Sequence, residues 1–541
     1  MKDLEIPFKE ERGWRYRSFE ILPGAVSWFV IALPFVLSFV NPTWAAYFII
    51  MFMLAWAFKA SGYAMRTTRG YNKLHKMMKI NWSELEDNLN HAKRTLTEAK
   101  ETTTNHWPSW HIKDLTDFAT YSGDDLLKPK QVYHAVIVPT YNEGPDVIEP
   151  TIQSVIGSHY DVKNRVILLL AYEQRGGELK AHQSKEQIQK FSKHFKHAEA
   201  VEHPADIPGE TMGKGGNATF AGRRLLEIVK DLKLDPMQVI VTTLDSDNRP
   251  HPHYLSAVTY AYCLAPNRRY ISFQPIPMFL NNIWDAPAPM RVLATGNSFW
   301  NLIASSRPHL MRNFSAHAQS LATLIDTDFW SVRTIVEDGH QFWRTYFRYE
   351  GRHNVTPIFV PIYQDAVLEE TYPKTLKAQF IQLRRWAYGA SDVAYLLNQG
   401  YVKKNKVPRR DLFFKFVRIM ESHVSWATAP LILAGSAWLP IILNPNAQNT
   451  VIAHQLPRLA SSINTYIAVG ILVTVFLSMR ALPPRPPRYK ARRRVWMVLQ
   501  WVLLPLSSIV YGSFAALYSQ TRLMLGRYLD KFDVTTKAVK R

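Results

Sequence analysis

Cysteine is all but absent from this 541-residue sequence. Cys263 stands alone, so no intrachain disulfide, no thiolate metal site and no Cys-x-x-Cys redox pair can be built. A reducing compartment fits that usage. Acidic residues are scarce beside basic ones, 44 against 65, which leaves a formal net charge of +21. Such an excess suits nucleic acid, anionic lipid or phosphate-bearing substrates, and its placement chooses among them. The run Arg480 to Arg494, RALPPRPPRYKARRR, lies between two hydrophobic segments. There, basic residues kept on one side of a bilayer explain it better than a nucleic-acid groove does, and no nucleic-acid partner is expected. A small-residue cleavage site after the first apolar segment is also missing, so that segment reads as retained.

Long apolar runs are what the chain does have. Ile21 to Val40 and Thr43 to Ala60 are each about the length, roughly 20 residues, that crosses a hydrocarbon core as a helix, with Asn41 and Pro42 turning between them. Further apolar segments follow at Ser425 to Leu443, Ser461 to Leu482 and Val495 to Tyr518. Pro505 interrupts the last, which reads as a broken helix or a re-entrant hairpin. Four full spans plus that segment are expected, with Phe413 to Met420 along the interface ahead of them. A mean hydropathy of -0.16 suits a soluble domain carried between two helix groups, and a chain this long holds at least two domains. The predicted organisation is an N-terminus over 1–20, two transmembrane helices over 21–62 and a helical linker over 63–125. An α/β domain over 126–365, interfacial helices over 366–424, a second transmembrane region over 425–520 and a tail over 521–541 complete it.

Within the linker, Ser83 and Glu86 suggest a capping box ahead of Leu85, Leu89 and Leu96. From His134 to about Val360 the buried-strand runs AVIV, RVILLL, VIVTTL and RYISF alternate with helical stretches. That pattern predicts a mostly parallel sheet with helices around it, and catalytic residues at the C-terminal ends of strands. The polar stretch Gly176 to Gly209 reads as a solvated helix and loop without chemistry.

Three groups of residues carry chemistry. In Thr243-Leu244-Asp245-Ser246-Asp247 an apolar strand ends in two carboxylates, a hard oxygen set that suits Mg2+ or Mn2+ together with substrate phosphates. Taken alone, Asp-Ser-Asp is common in turns and caps. The pair Glu337-Asp338 offers a carboxylate to take the proton of an attacking hydroxyl, with Asp338 the candidate general base. In Gln382-Leu383-Arg384-Arg385-Trp386 a helix places Gln382, Arg385 and Trp386 on neighbouring positions of one face. Arg385 can fork onto a diphosphate, and Trp386 is a flat platform for a sugar ring. His340 reads as a helix-surface residue beside the acidic pair, and Phe273 to Pro277 as a rigid Pro-bracketed loop shaping the acceptor side.

In combination and order these motifs, from Pro139 to Trp386, resemble family 2 glycosyltransferases of the cellulose synthase and hyaluronan synthase type. Pro139-Thr140-Tyr141-Asn142-Glu143 matches the family's first turn, which implies a nucleoside-side role for Thr140 and Glu143. Glu173 stands where the family has a base-contacting Asp. Gly213-Lys214-Gly215-Gly216-Asn217 is similar to its Lys/Gly/Asn turn, which implies a donor contact for Lys214, and it fails the Walker pattern because Gly215 replaces Ser/Thr. The resemblance further implies Asp247 as main metal ligand with Asp245 beside it, Asp338 as base, Gln382 and Arg385 on the donor, and Trp386 and Glu337 on the acceptor. Phe532-Asp533-Val534-Thr535-Thr536-Lys537 resembles the gating loop of cellulose synthases, making Thr535 and Lys537 candidate diphosphate contacts. The implied protein is a multi-pass enzyme of the plasma or inner membrane. Its α/β GT-A-type, Rossmann-like cytoplasmic domain is inserted between N-terminal and C-terminal transmembrane helices. It inverts the anomeric centre while moving sugar from a nucleotide diphosphate donor, a UDP-sugar by expectation, to a growing polysaccharide. Transfer of one sugar to a lipid or polyprenyl phosphate acceptor is the alternative, and a membrane protein that only binds the nucleotide sugar is the third reading.

Overall fold

Two long helices open the chain. α1 (Trp14–Val40) and α2 (Pro42–Met77) meet at Asn41, whose side chain accepts the Thr43 and Trp44 amides, while Pro42 takes the first helical position, where a missing N–H costs nothing. The computed structural model describes residues 4–101 and 107–529. α2 continues beyond residue 62 to Met77, and its Tyr71 and Leu74 are buried in a core shared with Ile276 and Trp284. The helices that follow, Trp82–Asn90, Ala92–Glu101 and Ser109–Phe118, form an outer layer of the α/β domain rather than a free linker. Trp82, Leu85, Leu89, Leu115 and Phe118 share one core with Val136 and Leu168. The expected Ser83–Glu86 capping box does not form. Burial of Trp82, whose indole donates to the Met77 carbonyl at 2.9 Å, starts the helix there and leaves Asn81 to cap it. Ser83 Oγ donates instead to the His159 carbonyl, and Glu86 pairs with Arg165 at 3.2 Å.

The sheet contains β1 (Tyr133–Thr140), β2 (Val166–Glu173), β3 (His197–His203), β4 (Val239–Thr243), β5 (Arg249–Pro250), β6 (Ile271–Met278), β7 (Ala318–Ser320) and β8 (Asn354–Tyr363), in the order β3-β2-β1-β4-β7-β6-β8-β5. β7 and β5 run against the others. Covered on both faces, β1, β2 and β4 read as unbroken apolar runs. β3 is a correction to the solvated reading of Gly176 to Gly209. It is an edge strand of His, Glu and Ala with Val201 its one large apolar residue, and most of its residues are half-buried, so no apolar run announces it. Phe273 to Pro277 is likewise strand rather than loop, with a bulge between Pro275 and Ile276 where the prolines cannot donate. The strand order reverses between β1 and β4, the place where open α/β sheets bind ligands. Register puts Thr140 opposite Tyr172, and Ile137 opposite Thr243, so the C-terminal ends of β1, β2 and β4 emerge together.

α3 (Lys214–Asp231), α4 (Ala288–Ser305), α5 (Glu337–Arg348) and α6 (Tyr372–Ala387) surround these ends. α7 (Arg409–Leu443), α8 (Val451–Ala481) and α9 (Arg492–Met524) follow, and together with α1 and α2 they make five helices long and apolar enough to cross a membrane. Fully exposed apolar side chains such as Phe58, Val451 and Leu472 suit a lipid surrounding. Residues 4–6 lie on the α/β domain, Leu4 accepting from Tyr395 Oη at 2.7 Å, so α1 leaves from that side. Its far end meets the turn after α7, where Asn444 donates to the Ser38 and Phe39 carbonyls. α2 and α8 return side by side. Phe413 to Met420 form the first turns of α7, with Ile419 and Met420 packed on the α/β domain. α9 is not a hairpin. It is one helix whose 3-10 turn at Gln500–Leu503 and π-helical stretch at Ser508–Phe514 flank Pro505. Both its ends face the α/β domain side: Arg493 donates to the Trp284 carbonyl, and Arg17 at the start of α1 donates to the carbonyls of Leu523 and Met524.

Candidate active site

Where β1, β2 and β4 end, a cavity of about 1100 Å³ opens and continues past α4 to α2, α7 and α9. Thr140, Glu143, Glu173, Lys214, Asp245, Asp247, Glu337, Asp338, Gln382, Arg385 and Trp386 all line it, gathered from stretches far apart in the sequence. Thr535 and Lys537 lie outside the described residues, as does the rest of the Phe532 to Lys537 motif. Tyr528 and Leu529 just before it pack with Ile335 and Val336, which are themselves cavity-lining.

Lys214 is the centre of the acidic cluster. Its Nζ lies 2.9 Å from Asp245 Oδ1, 3.2 Å from Asp338 Oδ2 and 3.8 Å from Glu337 Oε1. Burial opposes its charge, but the three carboxylates outweigh burial and hold the ammonium above its ordinary range. The turn that delivers it needs glycine next, because a side chain at Gly215 would run into the Ser331 carbonyl. The two acids of α5 differ in access. Asp338 keeps 19% of its side chain exposed and Glu337 only 3%, so Asp338 is the one that can meet a substrate hydroxyl. Burial and then the neighbouring charge of Asp338 raise the Glu337 carboxyl, against the pull of Lys214 and Arg385. His317, which sequence reasoning missed, lies 3.8 Å from Asp338 Oδ1, with its Nδ1 on the Phe314 carbonyl at 2.9 Å.

Asp245 and Asp247 sit at the strand end as expected. Asp245 Oδ2 accepts from Ser315 Oγ at 2.7 Å, and Asp247 Oδ2 accepts the Asp365 amide at 2.9 Å. Among the described residues no group of three or more His, Cys, Asp or Glu could hold a metal. Two cavity-facing carboxylates therefore fit a hard divalent ion only when phosphate oxygens and water complete its shell.

At the β1 and β2 ends, Glu143 closes its own turn, accepting the Tyr141 amide at 2.8 Å and Thr140 Oγ1 at 3.3 Å. Glu173 Oε2 accepts from Arg175 at 2.6 and 3.2 Å and from His203 Nδ1 at 3.1 Å, and His203 Nε2 donates to Glu210 at 3.0 Å. Burial alone would lower the His203 pKa, but the hydrogen bonds to Glu173 and Glu210 raise it to about 9. His203 comes from the stretch, Gly176 to Gly209, to which the sequence assigned no chemistry, and Arg175 stands just before it. Asn217 is structural, donating to the Ala171 carbonyl at 2.9 Å so that α3 stays on the end of β2.

On α6, Gln382 accepts from Gln379 at 3.2 Å, and the Trp386 ring lies 6.0 Å from that of Phe279. Gln274 acts at one remove: it accepts the Phe314 amide at 2.7 Å and donates to the Ser315 carbonyl at 3.1 Å, fixing the segment beside Asp245. His340 is not on the surface. It is fully buried, with Nδ1 2.7 Å from Asp392, because α5 packs its amphipathic face inward. Toward the membrane helices the lining turns aromatic, with Trp56 and Tyr63 of α2, Trp300 of α4 and Trp426 of α7.

Comparison with known proteins follows this geometry. The description "Glycosyl transferase family group 2" matches residues 240–525. No curated protein matches the chain. Similar solved structures include the mannosyltransferase PcManGT from Pyrobaculum calidifontis in complex with GDP-Man and Mn2+, with a TM-score of 0.38 and 14% identity over 79% of this chain and 98% of that one. TarS 1-349 of S. aureus in complex with UDP-GlcNAc has a TM-score of 0.34 and 12% identity over 63% and 91%. GalNAc-T7 with UDP, GalNAc and Mn2+ has 0.34 and 11% over 54% and 58%. The family match takes in more than half of the chain, including both acidic pairs, α6 and the three C-terminal apolar helices. A GT-A-type, Rossmann-like domain set between apolar helices is thus what this chain builds, and it belongs to glycosyl transferase family group 2 as an enzyme of that class.

Proposed function

We propose that the protein is a membrane-bound inverting transferase, similar to cellulose and hyaluronan synthases, that moves sugar from a UDP-sugar onto a growing polysaccharide on the cytoplasmic side. The observation that carries this reading is the continuity of the cavity, from Glu143 and Glu173 through the carboxylates to Trp56 and Trp426 on the membrane helices. Flat aromatic faces bind sugar rings, and a path lined with them beyond the reacting centre suits a chain longer than one sugar.

In this reading Asp338 takes the proton of the acceptor hydroxyl as its oxygen bonds to the anomeric carbon. The bond from that carbon to the diphosphate breaks and its electron pair leaves with the diphosphate. Attack from the side opposite the leaving group inverts the centre. Lys214, 3.2 Å from Asp338 Oδ2, positions that carboxylate, and Lys214 and Arg385 bring positive charge to the departing group. Asp245 and Asp247 would hold Mg2+ or Mn2+ with the donor, and the ion supplies further charge neutralisation. Glu173, fixed by Arg175 and His203, faces the base, and Glu143 shapes the turn beneath the nucleoside. Tyr528 and Leu529, the last described residues, pack with Ile335 and Val336, which supports a gating role for Thr535 and Lys537.

Product sizing tests this reading. Protein in nanodiscs, given a UDP-sugar with Mg2+ or Mn2+, is expected to yield a polymer ladder. A product that stops at one sugar per acceptor would contradict the polysaccharide reading and favour the lipid acceptor.

A further inference from the structure

The membrane-side stretch of the cavity holds positive charge and polar groups that are without partners among the described residues. Arg312 is half-buried and lines the cavity, and among the described residues its guanidinium makes no hydrogen bond or ion pair. Asn313 is fully buried, and neither side-chain atom has a partner. His423, on α7, is 5% exposed, and both its ring nitrogens are unpartnered. All three line the same cavity. Burial disfavours the Arg312 charge, Asp392 supports it and Arg418 opposes it. Asp392 is already bonded to His340, and Glu421 is shared by Lys59 and Arg418. Arg66 and Arg307 add their charges near Arg418. Cations outnumber carboxylates here, whereas at the Lys214 cluster carboxylates outnumber the cation.

A partly buried guanidinium with no hydrogen-bonded partner and only a distant carboxylate, already bonded elsewhere, is costly, and a buried amide and imidazole without partners add to that cost. A ligand that brings an oxyanion supplies the partner Arg312 lacks, because the planar fork of arginine matches carboxylate and phosphate oxygens, and Asn313 and His423 line the same cavity with hydrogen-bonding capacity to add. We infer that Arg312, Asn313 and His423 form an acceptor subsite for an oxyanion, a carboxylate or phosphate carried by the acceptor on the membrane side of Asp338. The oxyanion belongs to an acidic sugar of the growing chain or to the phosphate of a lipid-linked acceptor. This rests on the transferase reading above and narrows its acceptor to an anionic one.

Equilibrium binding to the full-length protein in nanodiscs, without donor, tests the subsite apart from turnover. The probes are a neutral hexose disaccharide, the same disaccharide with one hexuronic acid, and a polyprenyl monophosphate. Expected is binding of one anionic probe at least about tenfold tighter than the neutral disaccharide, lost in Arg312→Gln and partly restored in Arg312→Lys. Among the described residues Arg312 makes no internal pair for its replacement to break, and His423→Leu is a second variant expected to weaken the same probe. Tight binding of the uronate assigns the oxyanion to the sugar chain, and tight binding of the polyprenyl phosphate assigns it to the lipid. Equal binding of neutral and anionic probes, or anionic binding unchanged in Arg312→Gln, overturns the subsite. With donor present, the acceptor KM is expected to follow the same order. If no donor turns over while the anionic probe still binds through Arg312, the transferase reading fails and the oxyanion site stands.

Discussion

The two ends of the cavity are built on opposite plans. At the β1 and β2 ends the polar groups complete one another: Glu143 holds its own turn, and Glu173 is clamped by Arg175 and by a His203 that also bonds Glu210. At the membrane end Arg312, Asn313 and His423 have no side-chain partner among the described residues. A site whose groups are already fixed recognises one rigid ligand with little reorganisation. A site with unmet charge and hydrogen-bonding capacity is completed by what enters it. The Lys214 cluster lies between the two, with its charges balanced internally but shared with the reacting groups.

The largest effect is expected at that middle ground. Asp338→Asn is expected to lower transfer about a thousandfold, within the range of a general base, while donor binding is retained; nucleoside diphosphate release set beside equilibrium donor binding checks both halves. Asp247→Ala is expected to weaken donor binding on the order of a hundredfold in Mg2+ or Mn2+ and to have little effect in chelator, which titration calorimetry in the two buffers reads. His203→Asn probes the preformed end. The donor KM is expected to rise about tenfold with kcat unchanged, the mark of lost uniform binding.

The same residue sets a pH dependence. Its folded-state pKa is raised, to about 9 from 6.5, so the stability gained from its pairing is complete below about pH 6.5 and is lost as pH rises through about 9. The donor KM of the wild type is expected to climb over that upper range, and that of His203→Asn to stay flat. Smallest is Asn81→Ala, outside the cavity, which removes a helix cap and is expected to cost about 1 kcal/mol of stability without altering kcat, as thermal unfolding and steady-state rates would show.

What could be read in the sequence was local. A buried parallel strand is a continuous apolar run, and the residues at its end are its chemistry, so β1, β2 and β4 and the acidic pair after β4 were all legible. β3 was not, because an edge strand of His, Glu and Ala around the single Val201 makes no apolar run, and with it His203 was lost. The run RYISF announced the start of β6, but its prolines masked the rest, which keeps its pairing through a bulge. Hydropathy found the apolar helices, but only contacts at both ends of α9, from Arg493 and from Arg17, show that it starts and finishes on the α/β domain side. Arg312 and His423 are more than a hundred residues apart in the chain, and no spacing rule joins a loop residue to one on α7. The capping box failed for a tertiary reason, the burial of Trp82.

The most direct test is donor turnover by the purified protein in nanodiscs, across a panel of nucleotide sugars with Mg2+ or Mn2+. The expected result is nucleoside diphosphate release from a UDP-sugar that stops on chelation and is missing in Asp338→Asn. Release that persists undiminished in Asp338→Asn, or a donor that binds but is never turned over with any acceptor, would contradict the account.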